Sequence, residues 1–163
     1  IEENWNRINS MSGQFKQTDA DGTILHGNFY FLKPFNSKFV YNDAKENIIT
    51  NESLLFVVDQ ESYKIESYAI GSNIIKKLLS NEVSINKEFD LINIKTSENH
   101  HELQLKVKSD TSGSQIHVFF DINSFDLKKW QIFDEYNNKT DLEFTKIKKN
   151  IFISQNLFVV KYK

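Results

Sequence analysis

Apolar and polar residues alternate with a period of two along most of the chain, and that period is interrupted twice by a helical one. At the start, Ile1, Trp5 and Ile8 recur at i, i+4 and i+7, opposite Glu2, Glu3, Asn6 and Arg7. This spacing predicts a short amphipathic helix, the tail of one that begins before Ile1. Ser12 to Thr18 then reads as a polar strand with Phe15 on one face. Asp21-Gly22 makes a hairpin turn, because both residue types tolerate positive φ. Thr23 to Lys33 follows as a long strand, with Leu25, Gly27, Phe29, Phe31 and Lys33 on one face. Pro34 ends it, having no amide proton for a ladder.

Four shorter strands are predicted at Lys38 to Asn42, Glu46 to Thr50, Leu54 to Asp59 and Tyr63 to Tyr68. Helical spacing returns between Ser72 and Ser80. There Ile74, Ile75, Leu78 and Leu79 form an apolar stripe, Lys76-Lys77 the wet side, and Ser72 the N-cap. Strands resume at Phe89 to Lys95, His101 to Lys108, Gln115 to Ile122, Leu127 to Tyr136 and Asp141 to Lys148, with Leu157 to Tyr162 as a last one. The tight turns between them follow meander logic. The expected fold is mainly β with short helices: an incomplete antiparallel β-barrel of about ten or eleven strands under a helical lid. Residues 1–163 show no linker, repeat or low-complexity tract, so one domain is expected.

Composition sharpens this picture. The 163 residues include one Pro, five Gly and fourteen Phe, which favours long, unbroken strands. With a formal charge of −2, nothing argues for a nucleic-acid footprint. With no cysteine, disulfides, thiolate metal sites and Cys nucleophiles are excluded. Enzyme signals are weak. His100 and His101 are adjacent, so on a strand their rings point to opposite faces, and His26 and His117 sit on other strands. Neither a nucleophile elbow nor a phosphate-binding loop occurs. No catalytic residue, metal or cofactor is expected. The lysines at 146, 148 and 149 read as an outer strand face or a blunted edge. The Leu25, Phe29 and Phe31 face fits either ordinary barrel core or the wall of an apolar pocket. The apolar helix at 74–79 and the Trp5 and Ile8 face favour the pocket, roofed by helices able to move.

The run Met11-Ser12-Gly13-Gln14-Phe15-Lys16-Gln17-Thr18-Asp19, followed by Gly27-Asn28-Phe29-Tyr30-Phe31-Leu32-Lys33-Pro34 and Lys38-Phe39-Val40-Tyr41, resembles the periplasmic outer-membrane lipoprotein carrier family, LolA. Leu54 to Asp59, Tyr68-Ala69-Ile70 and the helix at 74–79 fall in the family's order. The resemblance implies a monomeric periplasmic chaperone without cofactor. It would take acylated lipoproteins from an inner-membrane ABC transporter to an outer-membrane receptor, where one exists. It also implies an acyl-chain cavity of Phe15, Leu25, Phe29, Phe31, Phe39, Tyr41, Phe56 and Val58, and a lid of Trp5, Ile8, Ile74, Ile75, Leu78 and Leu79. Lys33 stands where the family commonly has an Arg that reaches lid carbonyls, so it is the implied latch. Ser37 replaces a bulky apolar residue, implying a wider or wetter cavity mouth.

Other readings stay open. One is a lipid-binding or envelope-stress sensing module of the same barrel type. Another is the similarly folded outer-membrane receptor, although that protein is anchored through an N-terminal cysteine. A lipocalin-like binder fits poorly, because those barrels keep their main helix near the chain's end.

Overall fold

The computed structural model describes residues 1–51, 54–59, 61–62, 64–69, 74–108 and 113–160. Its strands are β1 (Ser10–Thr18), β2 (Ile24–Leu32), β3 (Asn36–Tyr41), β4 (Glu46–Thr50), β5 (Leu54–Asp59), β6 (Ile65–Ala69), β7 (Phe89–Thr96), β8 (His100–Val107), β9 (Gln115–Asp121), β10 (Leu127–Phe133) and β11 (Lys139–Lys149). All lie in one antiparallel sheet of order β6-β5-β4-β3-β2-β1-β11-β10-β9-β8-β7. The sheet is not closed: β6 and β7 are its two edges.

That order explains the helices. Every other consecutive pair of strands is adjacent in the sheet, but β6 and β7 stand at opposite edges. The chain between them therefore has to travel from one edge to the other. It carries two short helices, α2 (Ile74–Leu78) and α3 (Ile85–Glu88). A third, α1 (Glu2–Asn6), precedes β1 and ends at Arg7.

Aromatic contacts report how tightly the sheet curls. Phe31 on β2 and Trp130 on β10 are three strands apart, yet their rings stack at 5.4 Å and 16°. Strands sit ~4.8 Å apart, so a flat sheet would separate these residues by roughly 14 Å. Two glycines allow close packing at the centre of the curve. Gly13 pairs with Phe29 and Gly27 with Phe15. A Cβ on Gly27 would lie 1.9 Å from the Val40 carbonyl oxygen and 2.9 Å from the Phe15 ring. Each aromatic thus occupies the space its glycine partner leaves.

The inner face carries the main core, which includes Phe15, Phe29, Phe31, Phe39, Tyr41, Leu103, Val118, Trp130 and Phe144. A second, smaller core lies on the outer face, where Ile49 and Phe56 pack against Phe158. Phe158 belongs to a 3-10 helix, Gln155–Phe158, whose N-cap Ser154 accepts from the Asn156 amide. Here the sequence expectation of a last strand from Leu157 is corrected. In a strand Leu157 and Phe158 would point to opposite faces, whereas the helical turn lets both join the outer core. The expected N-cap at Ser72 and strand start at Tyr63 lie outside the described residues. The lysines of β11 are not edge-blunting, because β11 is interior to the sheet.

Candidate apolar ligand cavity

Alternation along β2 turns Phe29, Phe31 and Lys33 inward together. Pairing with β1 and β3 sets Phe39, Tyr41 and Phe15 beside them. Leu25, Ile8, Ile74 and Ile75 are half-buried at the margin of this cluster, while Trp5, Leu78 and Leu79 are buried within it. Phe56 and Val58 do not join it. Register places them in line with Ile49 and Asn47, on the outer face, and they pack with the C-terminal segment. Because β5 reads Leu-Leu-Phe-Val-Val, apolar on both faces, its alternation does not say which side is inner. By the same pairing, Leu55 and Val57 are the β5 residues in line with the inner row. Ser37 is also not a wet mouth: it is fully buried, and its hydroxyl bonds that of Thr50 across β3 and β4.

The helices are tied over the inner face by a chain of hydrogen bonds. Lys33 Nζ donates to the Trp5 carbonyl at 2.6 Å and lies 4.7 Å from the centre of the Trp5 ring. Trp5 Nε1 donates to the Leu78 carbonyl at 2.7 Å. The Phe35 amide donates to the Leu79 carbonyl at 2.8 Å, and Phe35 holds a positive φ of 70°. Asn6 exchanges two bonds with the Val83 backbone. One basic side chain at the end of β2 thus fastens α1, and α1 in turn fastens α2. Beneath them remains a cavity of about 30 Å³, roofed by Trp5, Leu78, Val83 and Ile85 and floored by Leu103, Leu105, Val118, Phe120, Leu127 and Trp130. The inward side chains of β8, β9 and β10 are as regular in sequence as those of β2. Their place beneath the lid depends on where the β6–β7 connection crosses, which spacing does not reveal.

Burial leaves Lys33 only 8% exposed and draws its pKa from the ordinary 10.5 down to about 8. Were the helices to lift, the ammonium would return to water. Between about pH 8 and 10.5 an open form would therefore hold a proton that the closed form has released. The closed form would gain as pH rises through that window and lose as pH falls through it. With 5-fluorotryptophan incorporated, the Trp5 ¹⁹F signal should move toward its closed-state position as pH is raised from about 8 to about 10. Lys33→Met should abolish that movement. A Trp5 signal that is flat across the window in the wild type contradicts the linkage.

A family model described as "Outer membrane lipoprotein carrier protein LolA" matches residues 6–161. The chain belongs to this family. The uncharacterized protein RP864 of Rickettsia prowazekii is 26% identical over 155 residues, covering 94% of this chain and 71% of that protein. Among solved structures, a DUF1329 family protein from Desulfovibrio piger superposes with a TM-score of 0.57 at 10% identity, covering 97% of this chain and 92% of the other. A candidate outer membrane lipoprotein-sorting protein domain from Vibrio parahaemolyticus gives 0.55 at 11% identity, with coverages of 96% and 91%. At such identities the structural likeness speaks for the LolA-like fold alone. No helix among the described residues is long and apolar enough to cross a membrane.

Proposed function

We propose that this LolA-family chain is a periplasmic carrier. It would hide the acyl chains of lipoproteins under its lid, receiving them from an inner-membrane ABC transporter and delivering them to the outer membrane, to a receptor where one exists. The observation that carries this reading is the largely apolar inner face beneath helices fastened by few polar bonds, among them Lys33 to Trp5 and Trp5 to Leu78. Each buried methylene is worth ~0.8 kcal/mol, so an acylated protein cannot cross water with its chains bare. Trp5, Leu78 and Leu79 fill the trough when it is empty. Loading exchanges these protein–protein contacts for protein–acyl contacts of similar kind. The net affinity is therefore modest, as a carrier that must release its cargo requires. Lys33 is the latch in this scheme. Its flexible amine makes one bond to the lid, where an Arg fork would make several.

The test is release. Purified protein incubated with energised spheroplasts should leave with acylated lipoprotein bound, identified by mass spectrometry. Cargo whose acylated cysteine is replaced by serine should stay behind. Lys33→Leu should change the rate of handover and leave the circular-dichroism spectrum β-like. Failure to extract any acylated cargo, with the transporter shown to be active, overturns the carrier reading.

A further inference from the structure

The side chain least in keeping with this molecule's segregation of polar and apolar surface is Phe152, which is 92% exposed beside the exposed Ile151. A single exposed apolar residue means little by itself. This one is held in place on both sides. Asn150, at a positive φ of 54°, donates its amide to the Ser10 carbonyl at 2.9 Å and accepts from the Asn9 amide at 2.7 Å. Ser10 Oγ donates to the Ile151 carbonyl at 2.5 Å. On the far side, Ile153 packs into the outer core and Ser154 caps the 3-10 helix. The phenyl ring therefore stands out from a pinned turn, between shallow grooves of about 210 and 440 Å³.

Three lysines, Lys146, Lys148 and Lys149, precede it on β11. Lys148 pairs with Ser12, which pairs with Tyr30, and Tyr30 lines the larger groove beside Phe152. Lys146 is exposed on the same strand, and Arg7 is exposed where its carbonyl accepts from Asn150. Among the described residues no ion pair engages Arg7, Lys146 or Lys148. The nearby acid Asp126 is taken by Lys149. A protruding aromatic that follows exposed lysines, with Arg7 at the neighbouring turn, is what an anionic lipid surface attracts, even on a chain of net charge −2. We propose that residues 150–153, with Arg7, Lys146 and Lys148, form a membrane-docking knob: Phe152 and Ile151 enter the headgroup boundary and the cations meet anionic lipid. The knob adjoins the latch. The Lys33 amide donates to the Asn9 carbonyl, and Asn9 in turn donates to Asn150. Docking would thus bring the lid's α1 end against the bilayer. This surface stands whatever the inner face holds.

Vesicle flotation tests it. The whole protein should partition at least ~10-fold better onto phosphatidylcholine vesicles holding about 30 mol% phosphatidylglycerol than onto phosphatidylcholine alone, and less at high salt. Phe152→Glu, and separately the pair Lys146→Glu and Lys148→Glu, should each cut that partition by ~10-fold at an unchanged urea midpoint. In Phe152→Trp, the added emission should be quenched by lipids brominated on the acyl chain. No association with the anionic vesicles, or association indifferent to Phe152→Glu, overturns the proposal. So does a Phe152-dependent self-association in sedimentation velocity, which would make the knob a contact between copies.

Discussion

Gly27→Ala should be the most damaging single methyl group that can be added to this protein. The new Cβ meets a backbone oxygen, that of Val40, at 1.9 Å, and no rotamer change relieves a contact between two main chains. The Phe15 ring, 2.9 Å away on the other side, is itself wedged edge-on to Phe39 and Tyr41. Overpacking usually costs ~1–3 kcal/mol, and this site should reach or exceed the upper end. Urea unfolding should show a lowered midpoint or no cooperative transition at all. Gly22→Ala is the control, since nothing lies within 4 Å of its Cβ position, and only its positive φ of 87° opposes the change. A Gly27→Ala variant no less stable than Gly22→Ala would mean that β2 and β3 are not packed as described.

Trp5→Ala should act on the lid more than on the sheet. Trp5 is buried against Phe120, gives its indole hydrogen to Leu78, and lies beneath the Lys33 ammonium. Truncating a buried tryptophan costs ~3–5 kcal/mol. Charged to the closed lid alone, that is a shift of roughly 10²–10³-fold or more toward the open form. Binding of bis-ANS should rise sharply, and the Leu79 amide, which bonds within its own turn to Ile75 and Lys76, should exchange faster. The strand amides of β1 and β11 should keep their protection. Uniform loss of protection across lid and sheet would show that α1 is ordinary core and not a movable cover.

Much of the architecture was legible because most strands here have one face in the core and one in water. Phe29 and Phe31 on β2, or Ile116, Val118 and Phe120 on β9, alternate with polar or half-buried neighbours, and the pattern names both the strand and its inward face. Legibility failed where that asymmetry failed. β5 is apolar on both faces, so Phe56 and Val58 looked as inward as Phe31. The helix α3 is a four-residue turn, too short to show a period. The C-terminal segment carries strand-like residues, but its conformation is set by a distant surface, the outer side of β4 and β5. Lys33 was visible as a cation on an apolar face. Which lid carbonyl it meets was not, because the Trp5 carbonyl is a backbone group that any residue at position 5 would supply.

The pairing of β1 with β11 joins the first of the described strands to the last, through the middle of the sheet. During synthesis β2 to β6 have their neighbours early, whereas β1 waits with one flank bare until β11 has emerged. Such distant pairing is slow to form and leaves sticky intermediates meanwhile. Losing β11 would therefore not shave off a border strand. It would split the sheet down its spine.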